Sequence, residues 1–166
     1  KPTIARVHGV ALGGGVGLIC ACDMAVASDD AAFAASEARF GILPSVIGPY
    51  LTNAVGRRHA RRLALLAGRI GAVEAQRIGM IDEVVTRDGL AAAVQTRVDE
   101  LLRNGPDSLA EIKALFSQLP VGEVTRLEEG RDFRRIYVRP HAKLDRLDGV
   151  LVVLEGVHQE LPSSPQ

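Results

Sequence analysis

Residues 11–23 read A-L-G-G-G-V-G-L-I-C-A-C-D, and this stretch decides how the whole chain is read. Gly13, Gly14, Gly15 and Gly17 interrupt regular structure, and the run from Val16 to Cys22 is then apolar and compact enough for a buried helix that Asp23 ends. Glycines between a strand and a helix let another backbone or a ligand approach closely. The first N–H groups of the helix have no internal partner, so they can hold an anion or a carbonyl oxygen. Tight helix–strand packing with no ligand explains the glycines equally well. Two nucleotide loops are excluded. A Walker loop needs Lys and then Ser or Thr after its last glycine, and Leu18-Ile19 stand there. The dinucleotide fingerprint G-x-G-x-x-G is replaced by G-G-G-x-G, and the acids after the next strand, Asp29-Asp30, read as an exposed turn.

Working outward, Thr3 to Val7 reads as a buried strand after Pro2, and His8-Gly9 turns the chain. Met24 to Ala27 and Ala31 to Ala35 read as further strands, and Pro44 to Pro49 as a loop opening a helical stretch. Beyond it, 57–66 and 72–78 have helical spacing, 81–85 is a strand, and 88–102 is an amphipathic helix with Asp88 as its N-cap. A last helix spans 107–119 with Pro106 at its opening, and 161–166 is a frayed end. Early strands and late helices give an α/β layer with a helical C-terminal part.

The chain of 166 residues is 47% hydrophobic and 24% charged, enough for one domain with a core. Its 20 basic and 20 acidic residues cancel, which argues against a nucleic-acid binder or a polybasic membrane surface. Trp is absent and aromatics are only 4%, so base-stacking platforms are not expected. No apolar run approaches the roughly 18 residues of a membrane-spanning helix. Cys20 and Cys22 read as small buried hydrophobes, since C-x-C without nearby His or further Cys is a weak metal pattern. His8, His59, His141 and His158 are scattered, and Ser36 lies in no nucleophile elbow. Arg57, Arg58, Arg61 and Arg62 read as a solvated helix face rather than a phosphate site.

Glu37 is the second feature. It stands between small apolar residues and Phe40, where a carboxylate can serve as a general acid or base. An exposed Glu, or one paired with Arg39, is the plainer reading.

Together these pieces resemble the crotonase (enoyl-CoA hydratase/isomerase) superfamily. The resemblance rests on K-P-T-I-A-R-V-H-G-V-A-L-G-G-G-V-G-L-I-C-A-C-D (1–23) and F-A-A-S-E-A-R-F-G-I-L-P (33–44). It continues more weakly through 55–70 and 72–85 and fades after about residue 119. It implies a spiral of β-β-α turns followed by a helical C-terminal trimerisation region. Residues 1–87 would then be the C-terminal part of the crotonase core, and 88–166 a helical region with a divergent tail. The family's N-terminal part has no match before Lys1, so the 166-residue chain alone is expected to have little hydratase activity.

The resemblance puts an oxyanion-holding N–H at Gly14 and the proton-transferring carboxylate at Glu37. It gives Leu12, Gly13, Gly15, Gly17, Phe40, Pro44 and Tyr50 as substrate-binding positions. For Phe40 and Tyr50, core packing is an equal alternative. Hydratases of the family often carry a second glutamate, at the position that Gly17 fills here. Gly17 and the loop Ser45–Tyr50 look most like a methylglutaconyl-CoA or isohexenylglutaconyl-CoA hydratase subgroup, active in leucine and acyclic-terpene breakdown. The missing carboxylate is expected to leave room at Gly17 for a bulky or carboxylated acyl chain. A single-Glu Δ3,Δ2-enoyl-CoA isomerase is the first alternative, and a non-catalytic acyl-CoA-binding remnant the second. The implied partners are an acyl-CoA substrate and copies of the chain in a homotrimer or hexamer, with no metal. No cofactor is expected beyond the substrate's CoA, and the expected location is cytoplasmic. The family's terminal helix pattern is poorly matched by 148–162, where its Lys-Arg pair and Trp are missing.

Overall fold

Thr3-Ile4-Ala5-Arg6-Val7 forms strand β1 (Thr3–Val7) in the computed structural model, which describes residues 1–118 and the backbone of 146–147 and 150–153. Side chains alternate across a strand. Ile4 therefore enters one core cluster, while Ala5 and Val7 enter another on the opposite face. β3 (Met24–Ser28) repeats the pattern, with Val26 on the Ile4 side and Ala25 and Ala27 on the other. Strands covered on both faces belong in a parallel sheet. β1 and β3 pair in parallel from Ile4↔Met24 to Val7↔Ala27, and β6 (Glu83–Val85) adds to β3 in parallel. On the other side of β1 lies β8 (Val150–Val153), which also pairs with β7 (Arg146–Leu147). The valine-rich run Val150-Leu151-Val152-Val153 is strand here, although the resemblance had placed it in a terminal helix pattern.

A second sheet holds β2 (Val10–Leu12), β4 (Ala32–Ala34) and β5 (Ile70–Gly71) in the order β2-β4-β5. The chain thus runs β1-β2-α1 and then β3-β4-α2, placing the first strand of each unit in one sheet and the second in the other. This is the expected spiral of β-β-α turns. β2 had gone unread, because three residues between Gly9 (φ +68°) and the glycine run carry little periodic signal.

Helix α1 (Gly14–Ala21) starts inside the glycine run rather than at Val16. Helix α2 (Gly48–Leu66) begins at Gly48, inside the stretch 44–49 expected as loop, with Pro49 in its first turn, and is broken at Gly56 (φ 73°, ψ 157°). Helix α3 (Ala72–Arg77) leads into β6. Helix α4 (Leu90–Leu102) is preceded by Gly89 with no side-chain cap, so Asp88 does not cap it. Leu90, Val94, Val98 and Leu101 of α4 cover Ile4 and Val26, while α1 and α2 supply Val16, Ile19, Leu51, Val55 and Leu63 to the other face.

Helix α5 (Pro106–Gln118) is tied to the start of the sheet through one carboxylate. Asp23 Oδ2 accepts hydrogen bonds from Thr3 N (2.7 Å), Thr3 Oγ1 (2.7 Å) and Lys113 Nζ (2.6 Å). Burial alone would raise the pKa of Asp23, but the bonds from Lys113 and Thr3 outweigh it and hold the carboxyl below its usual value of 3.8. A lowered folded-state pKa stabilises above the unfolded value and is lost as pH falls through the folded one. Asp23→Asn is therefore expected to lower stability at pH 7 by about 1 kcal/mol or less, because the site is partly solvated. Thermal melts of the two proteins should converge as pH falls below 3.8.

Candidate active site

The glycine run is built around two contacts that its sequence does not show. Gly13 is the N-cap of α1 at φ 48°, ψ −113°, a conformation that favours glycine. Its N–H donates to Ala34 O at 2.8 Å, so it is not available to a ligand. The next N–H groups, those of Gly14, Gly15 and Val16, have no intrahelical acceptor, because the first bond of the helix runs from Gly17 N to Gly13 O. Gly14 is exposed, and no side chain caps this end. A carbonyl oxygen can reach the Gly14 N–H unopposed.

Glu37 opens a short 3-10 turn (Glu37–Phe40) that follows β4. The turn is held by Arg39 N donating to Ser36 O and by Ile42 N donating to Glu37 O. Arg39 does not pair with Glu37; its Nε donates to Ala67 O at the end of α2, 2.9 Å away. The Glu37 carboxylate lies over Gly13 instead. A Cβ on Gly13 would sit 3.3 Å from Glu37 Oε1 and 3.6 Å from Ser36 Oγ. Glu37 Oε2 is shielded from solvent and has no hydrogen-bond partner. An unpartnered buried carboxylate oxygen is costly to keep, and such oxygens are found where a proton or a reacting group is to be met. The fold thus sets Glu37 against Gly13, the chain neighbour of Gly14. Gly13→Ala is expected to cost about 1–3 kcal/mol from its backbone conformation and also to displace the Glu37 carboxylate. A melt and a Glu37-dependent assay on the same variant check both effects.

The other expected binding residues divide. Leu12 ends β2 and is half-buried, and Gly15 makes only ordinary contact, 3.6 Å from its Cβ position to Ala11 Cβ. Phe40 (62% exposed) and Tyr50 (37%) are not core residues, and half-buried Pro44 accepts a hydrogen bond from Gly48 N. Ile42 and Leu43 are exposed beside them, so an open apolar strip follows Glu37 in the chain. Gly17 is a correction. It is buried, and a Cβ there would lie 2.5 Å from Ile47 Cγ2 and 2.9 Å from Ile47 Cβ. The space expected to admit a bulky acyl group is filled by Ile47, which is itself 4% exposed at the start of α2. The sequence reading missed Ile47, and only the closeness of a glycine on α1 could have hinted at a partner there.

Other candidates resolve as structural. Burial, with the neighbouring Cys22 adding to it, pushes the Cys20 thiol up to about 12, which keeps it unreactive near neutral pH. Among the described residues no cluster could hold a metal ion, and no helix is long and apolar enough to cross a membrane. Arg62 pairs with Glu74 at 2.7 Å, and Arg57, Arg58 and Arg61 are exposed on α2. A separate cleft at the far end of α1 is lined by Cys20, Cys22, Asn53, Met80 and Asp82 and lacks Gly14 and Glu37.

Comparison with known proteins shows the family. The enoyl-CoA hydratase/isomerase family model matches residues 1–151, and the chain belongs to that family. A Mycobacterium leprae protein named as a probable enoyl-CoA hydratase is 41% identical over 160 residues, covering 93% of this chain and 60% of the relative. Carnitinyl-CoA dehydratase of Escherichia coli K12 is 33% identical over 138 residues, covering 76% of this chain and 50% of the relative. The crystal structure of an enoyl-CoA hydratase from Shewanella pealeana superposes with a TM-score of 0.67 at 45% identity, covering 70% of this chain and 43% of that one. That of an enoyl-CoA hydratase from Mycobacterium smegmatis gives 0.69 at 32% identity, covering 73% and 48%. The chain spans about half to three-fifths of the length of the curated relatives it matches.

Proposed function

We propose that the protein is an enoyl-CoA hydratase acting on an α,β-unsaturated acyl-CoA, with a branched or carboxylated acyl chain. The observation that carries this reading is the Glu37 carboxylate lying over Gly13, next to the unengaged N–H of Gly14. The Gly14 N–H holds the thioester oxygen, and charge that develops there as an enolate is stabilised by a donor already in place. Glu37 takes a proton from the water whose OH adds to C3 and passes that proton to C2, so no atom is left on the protein. The only other molecule required is the CoA of the substrate. The acyl chain runs along Phe40, Pro44 and Tyr50, with Leu12, Gly13 and Gly15 lining the thioester end. Its branched or carboxylated character rests on the loop 45–50 and no longer on space at Gly17. The assembly is a homotrimer or hexamer in the cytoplasm, serving a breakdown route such as that of leucine.

One observation favours a second reading. With Gly17 packed on Ile47 and the Glu37 carboxylate over Gly13, proton shuttling between carbons suits the site as well. That is double-bond isomerisation of a Δ3-enoyl-CoA. Turnover of crotonyl-CoA, 3-methylglutaconyl-CoA and a Δ3-enoyl-CoA by the native protein separates these readings. A strong preference for crotonyl-CoA sinks the branched-chain assignment. Migration without incorporation of solvent oxygen selects the isomerase.

A further inference from the structure

Gly13 caps the N-terminus of α1 and Gly17 lies in its first turn, four residues further along the chain. Each lacks a side chain, and the space each leaves is taken by a group from another element. At Gly13 it is the Glu37 carboxylate, and at Gly17 it is the Cγ2 methyl of Ile47. Four residues of helix rise only about 6 Å. The methyl therefore closes the helix face one turn along from the shielded, unpartnered Glu37 Oε2. Ile47 is β-branched and 4% exposed, so this methyl has little freedom to move away.

We propose that Ile47 is a specificity-determining residue that limits water beside Glu37 and so sets the balance between water addition and double-bond migration. The inference rests on the acyl-CoA reading given above. In migration, Glu37 takes a proton from C2 of a Δ3-enoyl-CoA and returns it at C4, and the electron pair moves through the thioester dienolate. In addition, a water supplies OH to C3 and a proton reaches C2. Only the second needs a water held beside the carboxylate, and the volume over Gly17 is one such place that the methyl withholds. A cavity opened there takes up water only if a polar group faces it, because an apolar cavity stays dry.

The test compares Ile47→Ala with Ile47→Val, which keeps Cγ2, in the native protein. Ile47→Leu has no branch at Cβ, so it removes Cγ2 at nearly constant volume; it covers the case in which the Ala variant does not fold, and the product ratio is expected to move in the same direction. Products from a Δ3-enoyl-CoA and a Δ2-enoyl-CoA are measured, together with water–protein NOEs to the Gly17 α-protons. In Ile47→Ala the ratio of hydrated to migrated product is expected to rise about tenfold, the effect of one added hydrogen bond to the reacting water. A water NOE should appear at Gly17 and vanish again when Glu37→Leu is added, while Ile47→Val keeps the parent ratio and shows no such NOE. A dry cavity in Ile47→Ala, or an unchanged ratio with water present, overturns the proposal. Absence of product from either thioester in the parent overturns the acyl-CoA reading instead, and product formation indifferent to Glu37→Gln overturns the role of Glu37; the NOE result still decides whether Ile47 excludes water.

Discussion

Glu37→Gln is expected to lower enoyl-CoA turnover by the native protein by about 10³-fold, the middle of the range for removing a general acid–base. The amide keeps the size and hydrogen-bonding reach of the carboxylate but cannot exchange a proton at carbon near neutral pH. Glu37 is half-buried and makes no ion pair with Arg39, so the substitution breaks no structural bridge. Thioester affinity should change little, since the carbonyl oxygen is held by the N–H of Gly14 rather than by Glu37. Steady-state kinetics with a CoA-thioester binding assay check the prediction. Unchanged turnover would take Glu37 out of the proton transfer, and no turnover in the parent would leave the protein as an acyl-CoA binder without catalysis. Loss of binding along with turnover would place Glu37 in the scaffold rather than in the chemistry.

The second large effect is on stability. Gly17→Ala puts a Cβ 2.5 Å from Ile47 Cγ2 and 2.9 Å from Ile47 Cβ, well inside van der Waals contact. The obstruction is the stiff root of a branched side chain rather than the end of a flexible one. Overpacking of this kind costs about 2–3 kcal/mol, or on the order of 10 °C in Tm for a domain of this size. Ile47→Ala alone costs about 2–5 kcal/mol through the cavity it leaves. The double variant is expected to lose less than the sum of the two, because the new methyl enters the space that Ile47 vacates. Melts of the four proteins give the coupling directly. A strictly additive result would mean that helices α1 and α2 separate at little cost and that the Gly17–Ile47 contact does not hold them.

Much of the fold was legible because its signals are local. Thr3–Val7 and Met24–Ser28 are short apolar runs, as strands covered on both faces are, and Leu90–Leu102 carries a period near 3.6. What was misread lacked such a signal. β2 and β5 have three and two residues, and their pairing with β4 is decided across the sheet. α2 begins at Gly48-Pro49-Tyr50, residues that read as loop until Ile47 and Leu51 are buried against α1. Asp88 has the chemistry of a cap, yet the helix starts two residues later and Gly89 takes the position.

The candidate site divides in the same way. The residue types were set in the sequence: a glycine run opening a helix, a lone glutamate among small residues, and a match strong enough to expect the family. Those are properties of order along the chain, and Glu37 and Gly14 could be named from them. Which glycine does what was decided only by tertiary contact. Gly14 offers a free N–H because Ala34 O engages Gly13 instead, Gly13 makes room for a carboxylate 24 residues further on, and Gly17 makes room for Ile47. A missing side chain records that something must approach but not what approaches. The space expected for substrate at Gly17 was therefore assigned to the wrong occupant until α2 was seen to fill it.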